Sequence, residues 1–307
     1  MPRAAVLSCC AIPDSMPRMK FHPAVLLFLC LLGLFSGGCA TVPYRYGDNL
    51  ESPKVLPLRP DEPQFEFGRT NTLIDAVGWV FGIPSKILLL DSRMDNHRIS
   101  PQTVEALQEY LQRNSVTNVK VRINQYAPGG EWSRLFRNKS VGAGWRYTFG
   151  VISMLFYTVL PGRIIGGDNY NPYSNTINIY SDHKAVAIHE GGHAKDFAPR
   201  NFKGTYAFFY MIPFAALYAE ARASNDAISY LHAQPSARDE MEAYWILYPA
   251  YATYIGGQTM QYFAPAYPVI YFAALVPGHI LGRYKGSKVE ERRASTYIPV
   301  DAEGFEE

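Results

Sequence analysis

Two histidines four positions apart with a glutamate between them, His189-Glu190-Gly191-Gly192-His193, constrain this chain more than any other stretch, because the spacing has a chemical meaning only on a helix. Residues i and i+4 of a helix lie one turn apart on one face, so the two imidazoles can hold one metal ion between them. Glu190 then stands beside the first histidine, placed to act as a base without being a ligand. The flanks agree with a helix: Asp182 is placed to N-cap it, Ala185, Val186 and Ile188 are its apolar lead-in positions, and Pro199 stops it. Gly191 and Gly192 weaken a helix by about 1 kcal/mol each relative to Ala. Their presence implies that a neighbouring strand or a substrate approaches closely.

The N-terminus reads as an export signal. Met19-Lys20 opens a short basic region, residues 23–35 are almost wholly apolar, and Ser36-Gly37-Gly38 brings small residues up to Cys39. This arrangement resembles a bacterial lipoprotein signal, with Ser36 where such signals usually carry an aliphatic residue. The resemblance implies cleavage after residue 38, lipidation of Cys39, and, with Ala40 rather than Asp following, sorting to the outer membrane with the folded part facing the periplasm. An ordinary cleaved signal or an N-terminal membrane anchor also fits. Residues 1–18, with Asp14 and a second methionine at Met16, are poor signal material, so a true start at Met16 or Met19 is expected. Cys9, Cys10 and Cys30 all precede the cleavage point, so Cys39 is the one cysteine left and no disulfide forms within the mature chain. An unpaired thiol in an exported protein is a liability that lipidation removes.

Cleavage leaves about 270 of the 307 residues, enough for a substantial core. A net charge of +2 without a dense Lys/Arg run argues against nucleic acid as a partner. Residues 39–68, with prolines at 43, 53, 57, 60 and 63, read as a lipidated N-terminus and an extended spacer that holds the fold off the bilayer. Residues 69–286 then form the folded domain, and 287–307 a charged tail.

Within that domain, residues 71–90 predict two short helices broken near Pro84. Ser100-Pro101 opens an amphipathic helix to Arg113, with Val104, Leu107 and Leu111 on one side. Residues 116–124 alternate as a strand, with Val119, Val121 and Ile123 on one face. A helical turn is expected at 132–137, and the apolar stretch 146–160 reads as a buried helix ended by Pro161-Gly162. Residues 163–167 and 176–180 predict two strands joined by a turn-rich segment, directly before the motif helix. A strand edge beside a metal can bind an extended peptide through main-chain hydrogen bonds.

A catalytic zinc takes three protein ligands and a water, so the histidine pair needs a partner. Glu220, within a run of good helix formers (217–226) far enough along the chain to fold back past the motif, is the best candidate, with Asp196, Asp226 and His232 behind it. A solvated helix carboxylate, or a partner of Arg222, is the plainer role for Glu220. With these residues assembled, the chain resembles the zincin metallopeptidases, and among them the gluzincins, whose third ligand is a Glu on a later helix. The likeness spans about residues 164–230, and only the pentapeptide is specific. It implies Zn2+ held by His189, His193 and Glu220, and a zinc-bound water activated by Glu190 to hydrolyse a peptide bond. It also implies an oxyanion-stabilising Tyr, His or Arg that the sequence does not single out. Gluzincins often carry an Asp four residues after the ligand Glu. Here Ser224 holds that place, leaving Ser224, Asn225 or Asp226 to support the first histidine. Asp196 and Pro199 occupy places that the metzincin pattern gives to Gly and His, which excludes that branch.

Residues 243–280 contain no Asp, Glu, Lys or Arg and are rich in tyrosine. If Pro249, Pro265, Pro268 and Pro277 divide them, each piece is shorter than the roughly 20 residues of a membrane span. They read as buried helices, with a membrane-facing hairpin as the alternative. The expected fold is α+β and predominantly helical: a zincin-like core with a small antiparallel sheet packed on the motif helix, followed by apolar C-terminal helices. The expected function is zinc-dependent hydrolysis of peptides or proteins by a lipid-anchored cell-envelope enzyme. A non-catalytic envelope lipoprotein, acting as a scaffold or a membrane-associated binding module, is the competing expectation.

Overall fold

The computed structural model describes residues 44–47, 55–212, 214–260 and 267–296. Cys39, the export signal and residues 297–307 lie outside the described residues. Strand β1 (Phe65–Phe67) is followed by helices α1 (Thr72–Phe81), α2 (Ile83–Leu89) and α3 (Pro101–Arg113), strand β2 (Lys120–Ile123) and α4 (Pro128–Arg137). A helical turn (Ala143–Trp145) and a π turn (Arg146–Gly150) lead into α5 (Val151–Val159), then α6 (Gly162–Ile165), β3 (Asn169–Asn171), β4 (Thr176–Ile179) and the motif helix α7 (Lys184–Phe197). The remainder is helical: α8 (Lys203–Phe209), α9 (Ala215–His232), α10 (Ala237–Met260), α11 (Tyr267–Ser287) and α12 (Val289–Thr296).

The chain is mostly helical, as expected, but the sheet is mixed rather than antiparallel. Its order is β1-β2-β4-β3. β1, β2 and β4 run parallel, and only β3 and β4 are antiparallel. Helices fill the connections from β1 to β2 and from β2 to β4, and such crossovers return a strand in the same direction. A second correction concerns residues 163–167, where the expected strand is the helical turn α6, followed by Gly166 and Gly167 at positive φ. A short apolar run such as Ile164-Ile165 does not distinguish strand from helix by pattern alone. In the fold, Arg163 extends to Asp75 at 2.8 Å. β2 is buried along its whole length, so both of its faces are covered and its alternation reports only one of them; β1 and β4 pair with its two edges.

Helix α7 runs through the core and is buried almost all round. Asp182 does not cap it. The Asp182 carboxylate instead accepts hydrogen bonds from Ser100 N, Ser100 Oγ and Thr103 Oγ1 at 2.9, 2.7 and 2.6 Å, tying the start of α3 to the start of α7. The α7 cap is His183, whose Nδ1 accepts from Ala185 N at 3.2 Å. The motif glycines serve helix packing rather than a strand or a substrate. A Cβ on Gly191 would lie 2.6 Å from the Tyr110 ring of α3, and one on Gly192 would lie 3.2 Å from the Ala223 backbone of α9.

Pro249 and Pro277 do not divide the C-terminal stretch; they lie inside α10 and α11. These helices pack closely through glycines at every fourth position of α11. A Cβ on Gly278, Gly282 or Gly286 would lie 2.6, 2.5 or 2.4 Å from Ala252, Tyr244 or Trp245 of α10. The stretch expected to form a buried helix also differs: α5 buries Met154 but exposes Ile152, Leu155, Phe156 and Val159. The described part of the expected spacer lies on the body. Tyr44 OH donates to Asn114 Oδ1 at 2.7 Å, Arg134 binds Glu62 at 2.6 Å, and β1 joins the sheet. Part of the expected tail is α12, which buries Val289 and sends Arg292 and Arg293 to the buried Glu240 at 3.2 and 2.7 Å.

Candidate metal centre

Helix geometry places His189 and His193 on one face of α7, and α9 crosses that face with Glu220 turned towards them. His193 Nε2 lies 3.1 Å from His189 Nε2, Glu220 Oε2 lies 3.2 Å from His189 Nε2, and Glu220 Oε1 lies 3.5 Å from His193 Nε2. All three side chains are buried, and among the described residues they form the group able to hold a metal ion. Ligand atoms about 2.0–2.1 Å from a tetrahedral zinc stand about 3.3 Å from one another. The observed separations bracket that value, and two imidazoles with one carboxylate form a donor set that zinc accepts. Burial works against the Glu220 charge, yet the charge of His193 and hydrogen bonds from both histidines hold its pKa below the usual carboxylate range.

Ser224, one turn after Glu220 on α9, places its Oγ 3.3 Å from His189 Nδ1. A hydrogen bond from Nδ1–H to this oxygen fixes the ring with Nε2 towards the ligand position. Tyr210 OH stands 3.5 Å from His193 Nδ1, on the corresponding side of the second ring.

Glu190 lines the same cleft of about 410 Å³ as His193 and Glu220, with Asp168, Tyr170 and Tyr254 also in its wall. Burial pushes the Glu190 carboxyl up to about 8; the His189 charge opposes this, and the charges of Glu220 and Asp168 add to it. The backbone of Tyr170 on edge strand β3 lies near enough to the Glu190 carboxyl to favour its ionised form. Burial and the Asp95 charge likewise raise Asp168 to about 6, against hydrogen bonds from Tyr180 N at 2.6 Å and from Ser181. Phe149, Ile152, Phe156 and Met211 give the remainder of the cleft an apolar lining.

The runner-up ligands lie in other interactions. Asp196 binds Arg200 and Arg222 at 2.6 and 2.9 Å, which also removes Arg222 as a partner of Glu220. Asp226 binds Lys195 at 2.7 Å and accepts from Tyr110 OH. His232 stands 3.0 Å from Glu240. Of the three residues offered as support for His189, Ser224 is the one that contacts it, while Asn225 lines a polar cleft with Asp226 and Lys195.

Sequence reasoning missed Asp168 and Tyr254. Asp168 looked like an ordinary turn residue, and Tyr254 is one of 22 tyrosines with nothing local to distinguish it. The Glu220 charge beside the Tyr254 hydroxyl keeps that phenol well above its ordinary pKa, though 42% of the residue's surface is open to solvent. Compared with family models, curated proteins and solved structures, the chain gives no match.

Proposed function

We propose that the protein is a zinc-dependent peptide hydrolase of a bacterial cell envelope, attached by a lipid on Cys39 and facing the periplasm at the outer membrane. The observation that supports this reading is the convergence of His189 Nε2, His193 Nε2 and Glu220 in one buried group, with the Glu190 carboxyl in the wall of the same cleft. Zinc bound there supplies Lewis acidity, which lowers the pKa of water towards about 7 and polarises a carbonyl. Glu190, its ionised form favoured by the charge of a bound dication, takes the proton of the attacking water on its carboxylate and delivers it to the leaving amine nitrogen. Tyr254, a phenol that carries its proton at neutral pH and lies beside Glu220, donates to the oxygen that gains charge. The outer edge of β3 borders the cleft and can orient an extended peptide, and the apolar walls exclude bulk water.

Glu190→Gln tests the assignment. The variant is expected to bind zinc as the parent does and to lose peptide hydrolysis by several orders of magnitude, since a positioned base contributes about 10²–10⁴-fold and the charge is also lost. Hydrolysis at the parent rate would remove Glu190 from the mechanism and leave a non-catalytic metal lipoprotein.

A further inference from the structure

Large apolar side chains usually leave the surface when a chain folds, yet here they crowd one connected region of it. On α1 and α2 the exposed side chains include Leu73, Trp79, Val80, Phe81 and Ile87, and Leu90 follows at the end of α2; Leu73 and Ile87 leave 76% and 65% of their surface open. α1 packs on α6, whose Ile165 is exposed, and the exposed Val159 and Leu160 precede it at the end of α5. On the other side, His279 Nε2 of α11 contacts the Leu88 carbonyl of α2 at 2.8 Å. That contact joins the region to the outer ridge of α11, where Val269, Phe272, Val276 and Ile280 are exposed at helical spacing, opposite the glycines that face α10.

We infer that this region, α1 and α2 flanked by the α5–α6 corner and α11, seats in the outer layer of a lipid bilayer. Two observations favour lipid over water or another protein. The charges that α1 and α2 carry have partners within the fold: Asp75 binds Arg163 at 2.8 Å, and Lys86 donates to the carbonyls of Trp79 and Asp95 at 3.2 and 3.0 Å, its ammonium 5.0 Å from the centre of the Trp79 ring. No single described helix is long and apolar enough to cross a membrane, but α1 and α2 together pass that test of length and composition with a 46° bend between them. Two short bent helices of this composition suit the plane of an interface better than a span, and an indole such as Trp79 favours that depth. The inference also rests on the proposed lipid on Cys39, five residues ahead of Tyr44 (44 minus 39), which would keep a bilayer beside the fold. Because α5 also contributes Ile152 and Phe156 to the metal cleft, the cleft shares a wall with the docked surface.

The full chain reconstituted in phosphatidylethanolamine and phosphatidylglycerol vesicles with brominated acyl chains tests the docking, because bromine quenches indoles that reach the acyl region. The Trp79 contribution is the emission difference between the parent and Trp79→Leu, a substitution that preserves apolar character. This difference is expected to be lost in brominated vesicles and retained in unbrominated ones of the same composition. Emission untouched by bromine overturns the inference. So does concentration-dependent disulfide cross-linking between copies of Val80→Cys without quenching, which assigns the surface to a second copy of the chain. Neither readout involves metal or hydrolysis, so the result is independent of the proposed activity.

Discussion

Ser224 Oγ stands 3.3 Å from His189 Nδ1, one helical turn beyond the Glu220 that faces the other nitrogen of the same ring. A hydroxyl here does what a carboxylate can do at such a position, holding the tautomer and the ring plane without adding a further buried carboxylate near Glu220 and Glu190. Ser224→Ala is expected to weaken zinc binding by roughly tenfold, the lower end of what an outer partner of a metal-bound histidine contributes. Competition with a chromogenic chelator measures this. Unchanged affinity would show that packing alone sets the His189 ring.

Metal content is the most direct check on the centre. The parent is expected to bind zinc with near one-to-one stoichiometry and His193→Ala to bind almost none, as read by elemental analysis after exhaustive dialysis. Chelation is also expected to lower thermal stability. A ligand at a thousandfold excess over its Kd stabilises by about 4 kcal/mol. For a domain of this size that corresponds to a shift of about 10 °C, visible by calorimetry with and without chelator. No shift and no stoichiometric metal would assign the three residues to a purely structural hydrogen-bonded group.

His183 predicts an acid-sensitive α7. Burial and the Arg93 charge depress it to about 4, with Asp91 opposing from 3.9 Å, and its neutral Nδ1 accepts the capping hydrogen bond of Ala185. Below the ordinary histidine pKa of about 6.5 the unfolded chain takes up this proton and the folded one does not, so stability present above that value falls as pH drops towards 4. The loss reaches about 3 kcal/mol at the bottom of the window. His183→Asn keeps a side-chain cap without a titrating group. Urea midpoints at pH 7 and pH 4.5 should differ less in the variant than in the parent; equal differences would place the acid sensitivity elsewhere.

Gly191→Ala sets two effects against each other. Alanine gains about 1 kcal/mol of helix propensity, while its Cβ meets the buried Tyr110 ring at 2.6 Å, and such overpacking costs about 1–3 kcal/mol. Tyr110 cannot yield easily, because its hydroxyl is bound to Asp226. A net loss of stability is expected by thermal denaturation, whereas a stabilised variant would show that α3 moves aside at little cost.

Much of the helical scaffold was legible because its signals are local. Ser100-Pro101 marks the start of α3, and the break between α1 and α2 falls at Gly82, just before Pro84. The errors arise where two local signals compete. Asp182 and His183 are adjacent possible caps, and tertiary contact with Ser100 and Thr103 decides between them. Proline usually ends a helix, but at 249 and 277 close packing of α10 on α11 sustains the helix through it.

The spacing of His189 and His193 was sufficient to place two imidazoles on one face of α7, with Glu190 next to the first, since helix geometry alone separates the histidines by one turn. The convergence of Glu220, Ser224, Asp168 and Tyr254 on that face could not be read the same way. It depends on α9 and α10 crossing α7 and on the turn before β3, which are set by shape and not by neighbours in sequence. Apolar composition is ambiguous for the same reason. Water rejects an apolar side chain whether it is destined for a core, as in α7, or for the outside, as on α1 and α11, and only the packed structure shows which of them other side chains cover.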